Sequence, residues 1–188
     1  MQQNILNLIG KQLTELPENI EHPLDIEELL LDKNNIQSLP SEIVNLHNLK
    51  VLKAFSNQLK SIPDSIGQLK SLHIFNVGNN HITSLPESFG ELSNLYMFDI
   101  GHNHLNELPS SIGNLKKLAF LYLSTNHIST LPASIGGLER LLYLNIAENK
   151  LTSIPSSIGN LTDMIELRLY DNMLTELPEN LSALTNLR

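Results

Sequence analysis

The chain has 188 residues, which is enough for one ordinary domain with a sizeable core. Its formal net charge of −8 argues against a general nucleic-acid binder, because such proteins need a basic surface to displace counterions from phosphates, and against an anionic membrane surface as partner. The absence of cysteine excludes disulfides, thiolate metal ligands and a cysteine nucleophile.

The first residues do not resemble a targeting segment. The stretch MQQNILNLIGKQLTELP, residues 1–17, has no basic segment leading into a continuous apolar run, so it does not predict a secretory signal. No apolar stretch in the sequence approaches the length that a membrane span requires. We therefore expect a soluble cytoplasmic protein, with export as a secreted effector as the alternative.

The same letters recur along the chain every 23 residues without insertion or deletion. Repeat position 1 is Ile26 in the first regular unit and Leu187 at the end of the series. Counting back from Ile26 places an atypical first unit at 3–25, followed by regular units at 26–186 and the start of a ninth at 187–188. A fixed period of this length predicts one continuous repeat domain over 1–188 with eight stacked units.

Each unit begins with a pattern that suits a short β-strand. Apolar residues at repeat positions 4 and 6, such as Leu29 and Leu31, alternate with variable residues at positions 3, 5 and 7. This period of two is typical of a strand with one buried face. Because one such strand cannot bury its face alone, stacked units must share a core, with parallel strands about 4.8 Å apart.

Repeat position 9 is asparagine in every unit after the first. These residues are Asn34, Asn57, Asn80, Asn103, Asn126, Asn149 and Asn172. A row of ligands is one interpretation. We favour a structural role, in which each side-chain amide satisfies backbone N–H and C=O groups that the turn after the strand leaves without partners.

Proline at repeat position 15 opens the second half of every unit, from Pro17 to Pro178. Proline fixes φ and cannot donate to a strand ladder, and the polar residues that follow it suit the start of a short helical turn. An apolar residue at position 18, from Ile43 to Leu181, then enters the core from the outer side. We expect short helical or 3-10 turns on this side rather than long helices.

The two ends of the series predict different environments. The first unit departs from the repeat pattern at Gln3, Lys11 and Pro23. Such departures are common where a terminal repeat has one face toward water. At the other end the repeat begins again at Leu187 and stops at Arg188 without a capping sequence. We expect a piece of a longer protein; the alternative is an open sheet edge, which favours end-to-end association.

The pattern Leu-x-x-Leu-x-Leu-x-x-Asn-x-Leu-x-x-Leu-Pro, with Pro-x-x-Ile-Gly in units such as 63–67 and 155–159, resembles the leucine-rich repeat family. It is similar to the 23-residue type found in Ras-group-related proteins and in bacterial leucine-rich repeat proteins. The resemblance implies an α/β solenoid, a right-handed superhelix with a parallel β-sheet on its concave face and short helical or 3-10 turns on its convex face. It also implies scaffolding or partner recognition.

The letters that do not repeat predict where a partner binds. Positions 3, 5 and 7 point away from the core and line the concave face, which solenoids use for binding. Five apolar residues at position 3, which we name the apolar ridge, are Val51, Ile74, Met97, Phe120 and Tyr143. Exposed aromatic and methionine residues are enriched at interfaces, although such residues also simply suit strands. The predicted partner-binding residues are Val51, Phe55, Ile74, Met97, Asp99, Phe120, Tyr122, Tyr143, Asn145, Arg168 and Tyr170.

Position 10 carries histidine in three successive units, at His81, His104 and His127. Neighbouring strands would hold these imidazoles about 5 Å apart. They could converge on Zn²⁺ or titrate together as a pH-sensitive strip. We favour a solvated loop position, because polar residues such as Gln58 and Lys150 fill it in other units. No metal or other cofactor is predicted.

No motif in the sequence indicates catalysis. The chain has no glycine-rich phosphate loop, no His-Glu-x-x-His motif and no nucleophile elbow. We predict a non-enzymatic module that binds a protein through its concave face and binds neither nucleic acid nor membrane. The resemblance implies a small GTPase or a host signalling protein as the partner. The alternative is the substrate-recruiting arm of a larger bacterial effector or signalling enzyme, such as a ubiquitin ligase or a kinase.

Overall fold

Short parallel strands pair side by side in the computed structural model, which describes residues 4–17, 20 and 22–188. Over these residues the sheet has eight strands, ordered as in the sequence. The strands are β1 (Ile5–Asn7), β2 (Glu28–Leu30), β3 (Val51–Lys53), β4 (Ile74–Asn76), β5 (Met97–Asp99), β6 (Phe120–Tyr122), β7 (Tyr143–Asn145) and β8 (Glu166–Arg168). Paired residues of neighbouring strands are 23 positions apart in the sequence; Met97, for example, lies opposite Phe120. The sequence period therefore sets the register of the whole sheet.

A 3-10 helix lies between each pair of neighbouring strands, and one more follows β8. The 3-10 helices span Pro23–Asp25, Ser41–Asn45, Asp64–Gln68, Glu87–Glu91, Ser110–Asn114, Ala133–Gly137, Ser156–Asn160 and Glu179–Ala183. From the second onward, the repeat proline precedes the helix with extended backbone angles, as at Pro109 (φ −63°, ψ 150°). The prediction of short turns in place of long helices is confirmed. Within the described residues, no helix has the length and apolar character that crossing a membrane requires.

The hydrophobic core fills the space between the sheet and the 3-10 helices. Leu121 of β6 and Leu123, which directly follows β6, enter it from the side of the sheet. Ile112 enters it from the opposite side, and all three are fully buried. In the middle of the molecule, Phe75, Phe89 and Phe98 form an aromatic cluster with ring centroids 4.5–6.3 Å apart. Because this core is complete without the residues at positions 3, 5 and 7, the apolar side chains at those positions are not needed to fill it.

The asparagine at position 9 joins its own unit to the preceding one, as Asn103 illustrates. Its Oδ1 accepts the N–H of Ile82 at 2.9 Å, while its Nδ2 donates to the carbonyls of Val77 at 3.0 Å and Ile100 at 3.1 Å. The same bonds recur from Asn34 to Asn172. The predicted structural role of these asparagines is therefore confirmed, and they are not available to ligands.

A sharp turn after each strand fixes the side chains at position 7. The next residue adopts a left-handed conformation in every regular unit, with φ of 58° at Lys33, 55° at His102 and 54° at Asp171. Its N–H still donates to the following unit, as from His102 to the carbonyl of Ser124 at 2.8 Å. The parallel ladder therefore continues past the strand and holds the concave surface in register.

The first unit has a looser core than the middle ones. Leu6, Leu8 and Leu13 are only partly buried, whereas the equivalent residues of the central units are fully buried. This agrees with the expectation that a terminal repeat has one face toward water. Gln3, the predicted start of this unit, lies outside the described residues.

Candidate protein-binding surface

The apolar ridge forms a continuous row on the solvent-facing side of the sheet. Strand pairing places Val51 opposite Ile74, Ile74 opposite Met97, Met97 opposite Phe120, and Phe120 opposite Tyr143. All five side chains are half-buried rather than fully exposed. Part of the cover comes from tyrosines beside the ridge: Tyr96 meets Phe120 edge-on at 5.4 Å between centroids, and Tyr122 lies 5.0 Å from Tyr143. The row is thus a pre-packed surface whose side chains have little freedom left to lose on binding.

Beside the ridge, position 7 forms a low strip between two raised aromatic residues. Phe55 is 37% exposed and Tyr170 is 54% exposed. The four residues between them in the stack are small: Gly78, Gly101, Ser124 and Ala147. An added Cβ at Gly78 would lie 3.3 Å from Asp99 Oδ1 and from the Phe55 ring, so this glycine leaves room for both side chains. The predicted residues Phe55 and Tyr170 therefore stand at opposite ends of a shallow strip.

Asp99 lies at the centre of this surface, on β5. Its Oδ1 accepts the N–H of Gly101 at 3.0 Å, and its Oδ2 accepts a bond from Asn76 Nδ2 at 3.2 Å. Burial raises the pKa of Asp99 above its usual value, and the Gly101 bond, the nearby His102 and the Asn76 bond offset only part of this effect. Burial and the negative charge of Asp99 likewise raise the pKa of Tyr122, so the phenol stays protonated as a hydrogen-bond donor at neutral pH.

The raised pKa of Asp99 predicts a pH dependence of stability. Because the folded state holds the Asp99 proton more tightly than the unfolded state, this carboxyl stabilises the fold below its unfolded pKa and loses that contribution as pH rises through its folded pKa. Relative to Asp99→Asn, the wild type should therefore lose melting temperature as pH rises from 3 to 7. Thermal unfolding of both proteins between pH 3 and pH 7 measures this difference. A wild type that gains melting temperature over the mutant as pH rises would contradict the assignment.

Two of the predicted partner-binding residues, Asp99 and Asn145, also have a local structural role that the sequence interpretation missed. Asn145 Oδ1 accepts the N–H of Ala147 at 3.2 Å, which parallels the Asp99–Gly101 bond. The same bond joins Asn76 Oδ1 to the N–H of Gly78 at 3.0 Å. The available signal was Asn or Asp two residues before the turn, which is typical of an Asx turn. One oxygen of each side chain is thus bonded to the backbone, and the second polar atoms of Asn76 and Asp99 bond each other.

Arg168 closes the aromatic row at one end. Its guanidinium carbon lies 5.4 Å from the ring centroid of Tyr143, and its Nε donates to Glu166 Oε1 at 2.6 Å. Burial raises the pKa of Tyr143 more than the positive charge of Arg168 lowers it. The aromatic platform therefore already accommodates a cation, in the geometry of a cation–π contact.

The three position-10 histidines form a stack on one side of the concave surface. The rings of His81 and His104 lie 5.6 Å apart between centroids, as do those of His104 and His127. All three are exposed. Across the part of the chain that the structure describes, no group of three or more histidine, aspartate or glutamate residues is arranged to hold a metal ion.

Comparison with known proteins assigns the chain to a family. Residues 95–188 match a family model described as a leucine-rich repeat region, and residues 47–93 match a model described as two copies of leucine-rich repeats. The chain belongs to the leucine-rich repeat family. No curated protein sequence matches it significantly.

Solved structures of other leucine-rich repeat proteins share the fold. A leucine-rich repeat protein of Leptospira interrogans is 30% identical with a TM-score of 0.66, covering 97% of this chain and 58% of that one. An internalin of Listeria monocytogenes is 27% identical with a TM-score of 0.75, covering 87% and 47%. The Arabidopsis receptor kinase HAESA, solved with the peptide hormone IDA and the co-receptor SERK1, is 32% identical with a TM-score of 0.77, covering 87% and 29%.

These matches support a protein-interaction module with the predicted solenoid fold. Leucine-rich repeat segments are typically non-catalytic, which fits a binding role for this chain. The chain spans 58%, 47% and 29% of the three matched structures, so it corresponds to a part of each. The predicted binding residues on the concave surface and the predicted cytoplasmic location stay predictions.

Proposed function

We propose that this leucine-rich repeat solenoid recognises a protein partner through its concave face, with the apolar ridge as the centre of the contact. The observation that carries the proposal is the unbroken register of five apolar side chains from Val51 to Tyr143 on the solvent side of the sheet. The core beneath is already filled, so these side chains serve no packing need inside the molecule. A contiguous apolar surface of this kind usually marks a partner site.

The energetics suit an interface centred on aromatic residues. At about 25 cal/mol per Å² of apolar area, covering the remaining exposed parts of Phe120 and Tyr143 would contribute on the order of 1 kcal/mol each. That gain must exceed the loss of translational and rotational freedom, so a pre-packed ridge with little side-chain entropy to lose favours binding. Tyr122 and Arg168 supply hydrogen-bond donors at the rim, where they would orient the partner rather than add much affinity.

The related structures agree with a protein or peptide as the ligand. HAESA was solved with a peptide hormone and a second protein, and its leucine-rich repeat fold is similar to this one. A small GTPase or a host signalling protein remains a predicted identity for the partner of this chain. Because the chain matches only part of a receptor kinase, a recruiting arm within a larger enzyme is the second candidate.

Two paired substitutions test the concave assignment. Met97→Asp/Phe120→Asp places two charges on the ridge and is expected to lower partner retention in a lysate pull-down by at least about tenfold. The matched control, Ala133→Asp/Ser156→Asp, adds the same charge at exposed positions of the convex 3-10 helices. Circular dichroism first establishes that all three proteins are folded.

The outcome separates the two faces. Retention of one protein by the wild type and the convex control, with loss in the ridge variant, supports the proposal. Equal retention by the ridge variant and the wild type would move the contact away from the ridge. Loss in the convex control alone would place the partner on the 3-10 helices and overturn the concave assignment.

A further inference from the structure

A second apolar strip runs beside the concave sheet, at repeat position 2. Tyr96, Ala119, Leu142 and Ile165 occupy this position in four successive units. Tyr96 is 46% exposed and Ile165 is 41% exposed, while Ala119 and Leu142 form a more buried floor between them. The strip precedes the strands, so it lies at the flank of the sheet rather than on the apolar ridge.

A cavity of about 340 Å³ opens over this floor. Tyr96, Ala119 and Leu142 supply its apolar lining, and Lys117 and Arg140 stand at its rim; we name this site the lateral groove. The two cations follow one another at repeat position 23 of neighbouring units, so the strand spacing separates their backbones by about 5 Å. The lateral groove therefore offers a ligand both an apolar contact surface and positive charge.

The rim cations have no carboxylate partner. Glu139, the nearby carboxylate on the same turn as Arg140, pairs with Lys116 at 3.0 Å. Lys117 Nζ donates instead to Asn94 Oδ1 at 2.6 Å, which leaves its charge uncompensated. Over the described residues, no Asp or Glu oxygen lies within 4.0 Å of the side-chain nitrogens of Lys117 or Arg140.

The carboxylate of Asp163, at repeat position 23 of the unit after Arg140, offsets one of the two positive charges in the lining, so one positive charge remains in excess. Asp163 lines one end and His73 the other, and both are exposed. In a chain whose formal net charge is −8, Lys117 and Arg140 thus form a local positive site. Negative charge elsewhere on the surface repels acidic ligands, so attraction to an acidic group is confined to places such as this rim.

We infer that the lateral groove binds an extended acidic segment of a partner protein, in which carboxylates flank an apolar side chain. The apolar side chain would lie on Ala119 and Leu142 beside the Tyr96 ring. The flanking carboxylates would bond Lys117 and Arg140, and the planar guanidinium of Arg140 can hold a carboxylate through two parallel bonds. This inference does not depend on the concave contact proposed above.

Three immobilised peptide pools test the chemistry of the groove. One pool alternates Asp and Glu with Leu, Ile and Phe; the second replaces the acids with Asn and Gln; the third replaces them with Lys and Arg. The wild-type chain should bind the acidic pool above both others, against the direction set by its own net charge. Lys117→Glu/Arg140→Glu should lower binding to the acidic pool by at least about tenfold.

The control makes the same charge change elsewhere. Lys60→Glu/Lys150→Glu alters the net charge equally at two exposed residues that do not line the groove, and it should keep most of the acidic-pool binding. A preference for the basic or neutral pool would overturn the inference. So would equal binding losses in the two variants, or acidic-pool binding that survives Lys117→Glu/Arg140→Glu.

Discussion

Asn103→Ala is expected to lower the free energy of unfolding by at least about 2 kcal/mol. The side chain is 3% exposed, and its removal leaves the buried N–H of Ile82 without an acceptor. The carbonyls lose less, since Val77 O also accepts from Asn80 and Ile100 O also accepts from Asn126. The orphaned N–H therefore accounts for most of the cost. Urea unfolding followed by circular dichroism measures the change.

The control for Asn103→Ala lies three residues along the chain. Asn106 is exposed and stands outside the position-9 ladder, so Asn106→Ala should change stability by less than about 0.5 kcal/mol. Equal unfolding midpoints for the two mutants would show that the ladder does not stabilise the stack in the way its hydrogen bonds indicate.

Phe98→Ala should have the larger effect, a loss of about 3–5 kcal/mol. Phe98 is fully buried, 4.5 Å from Phe89 and 5.6 Å from Phe75 between ring centroids. Removing the ring opens a cavity between the sheet and the 3-10 helices, and neighbouring units cannot close it because their strands are fixed in the ladder. The loss should appear as a lower denaturant midpoint.

Phe55→Ala supplies the matched comparison for this core substitution. The chemistry of the change is the same, but Phe55 is 37% exposed on the concave side and fills no core space. Its mutant should lose much less stability than Phe98→Ala. If both mutants unfold at the same denaturant concentration, the division between a packed core and a separate binding surface is wrong.

The fixed period explains why so much of the fold follows from the sequence. A constant offset of 23 residues leaves one register for the parallel sheet, so Met97 must lie opposite Phe120. The structural role of the position-9 asparagines was predictable for a similar reason. A short amide that points inward beside a tight turn is placed to bond the backbone groups that the turn leaves without partners. Both inferences depend on the spacing along the chain alone.

The candidate site was less predictable because it depends on distances between side chains. Whether Asp99 faces a partner or caps Gly101 is decided by a single rotamer, which the repeat pattern leaves free. The ridge residues were expected to be exposed, yet tyrosines of adjacent repeat positions and strands half-cover Phe120 and Tyr143. The lateral groove joins residues at positions 2 and 23 of different units, so a reading of position 3 alone could not reveal it.

The most direct test of concave recognition is site-specific photocrosslinking. A benzophenone amino acid is placed at position 120 on the ridge or, in a second protein, at position 133 on a convex 3-10 helix. After irradiation in cell lysate, mass spectrometry identifies the adducts. The proposed function predicts one protein adduct from position 120 that position 133 does not give. The same adduct from position 133 alone, or from both positions equally, would contradict recognition through the concave face.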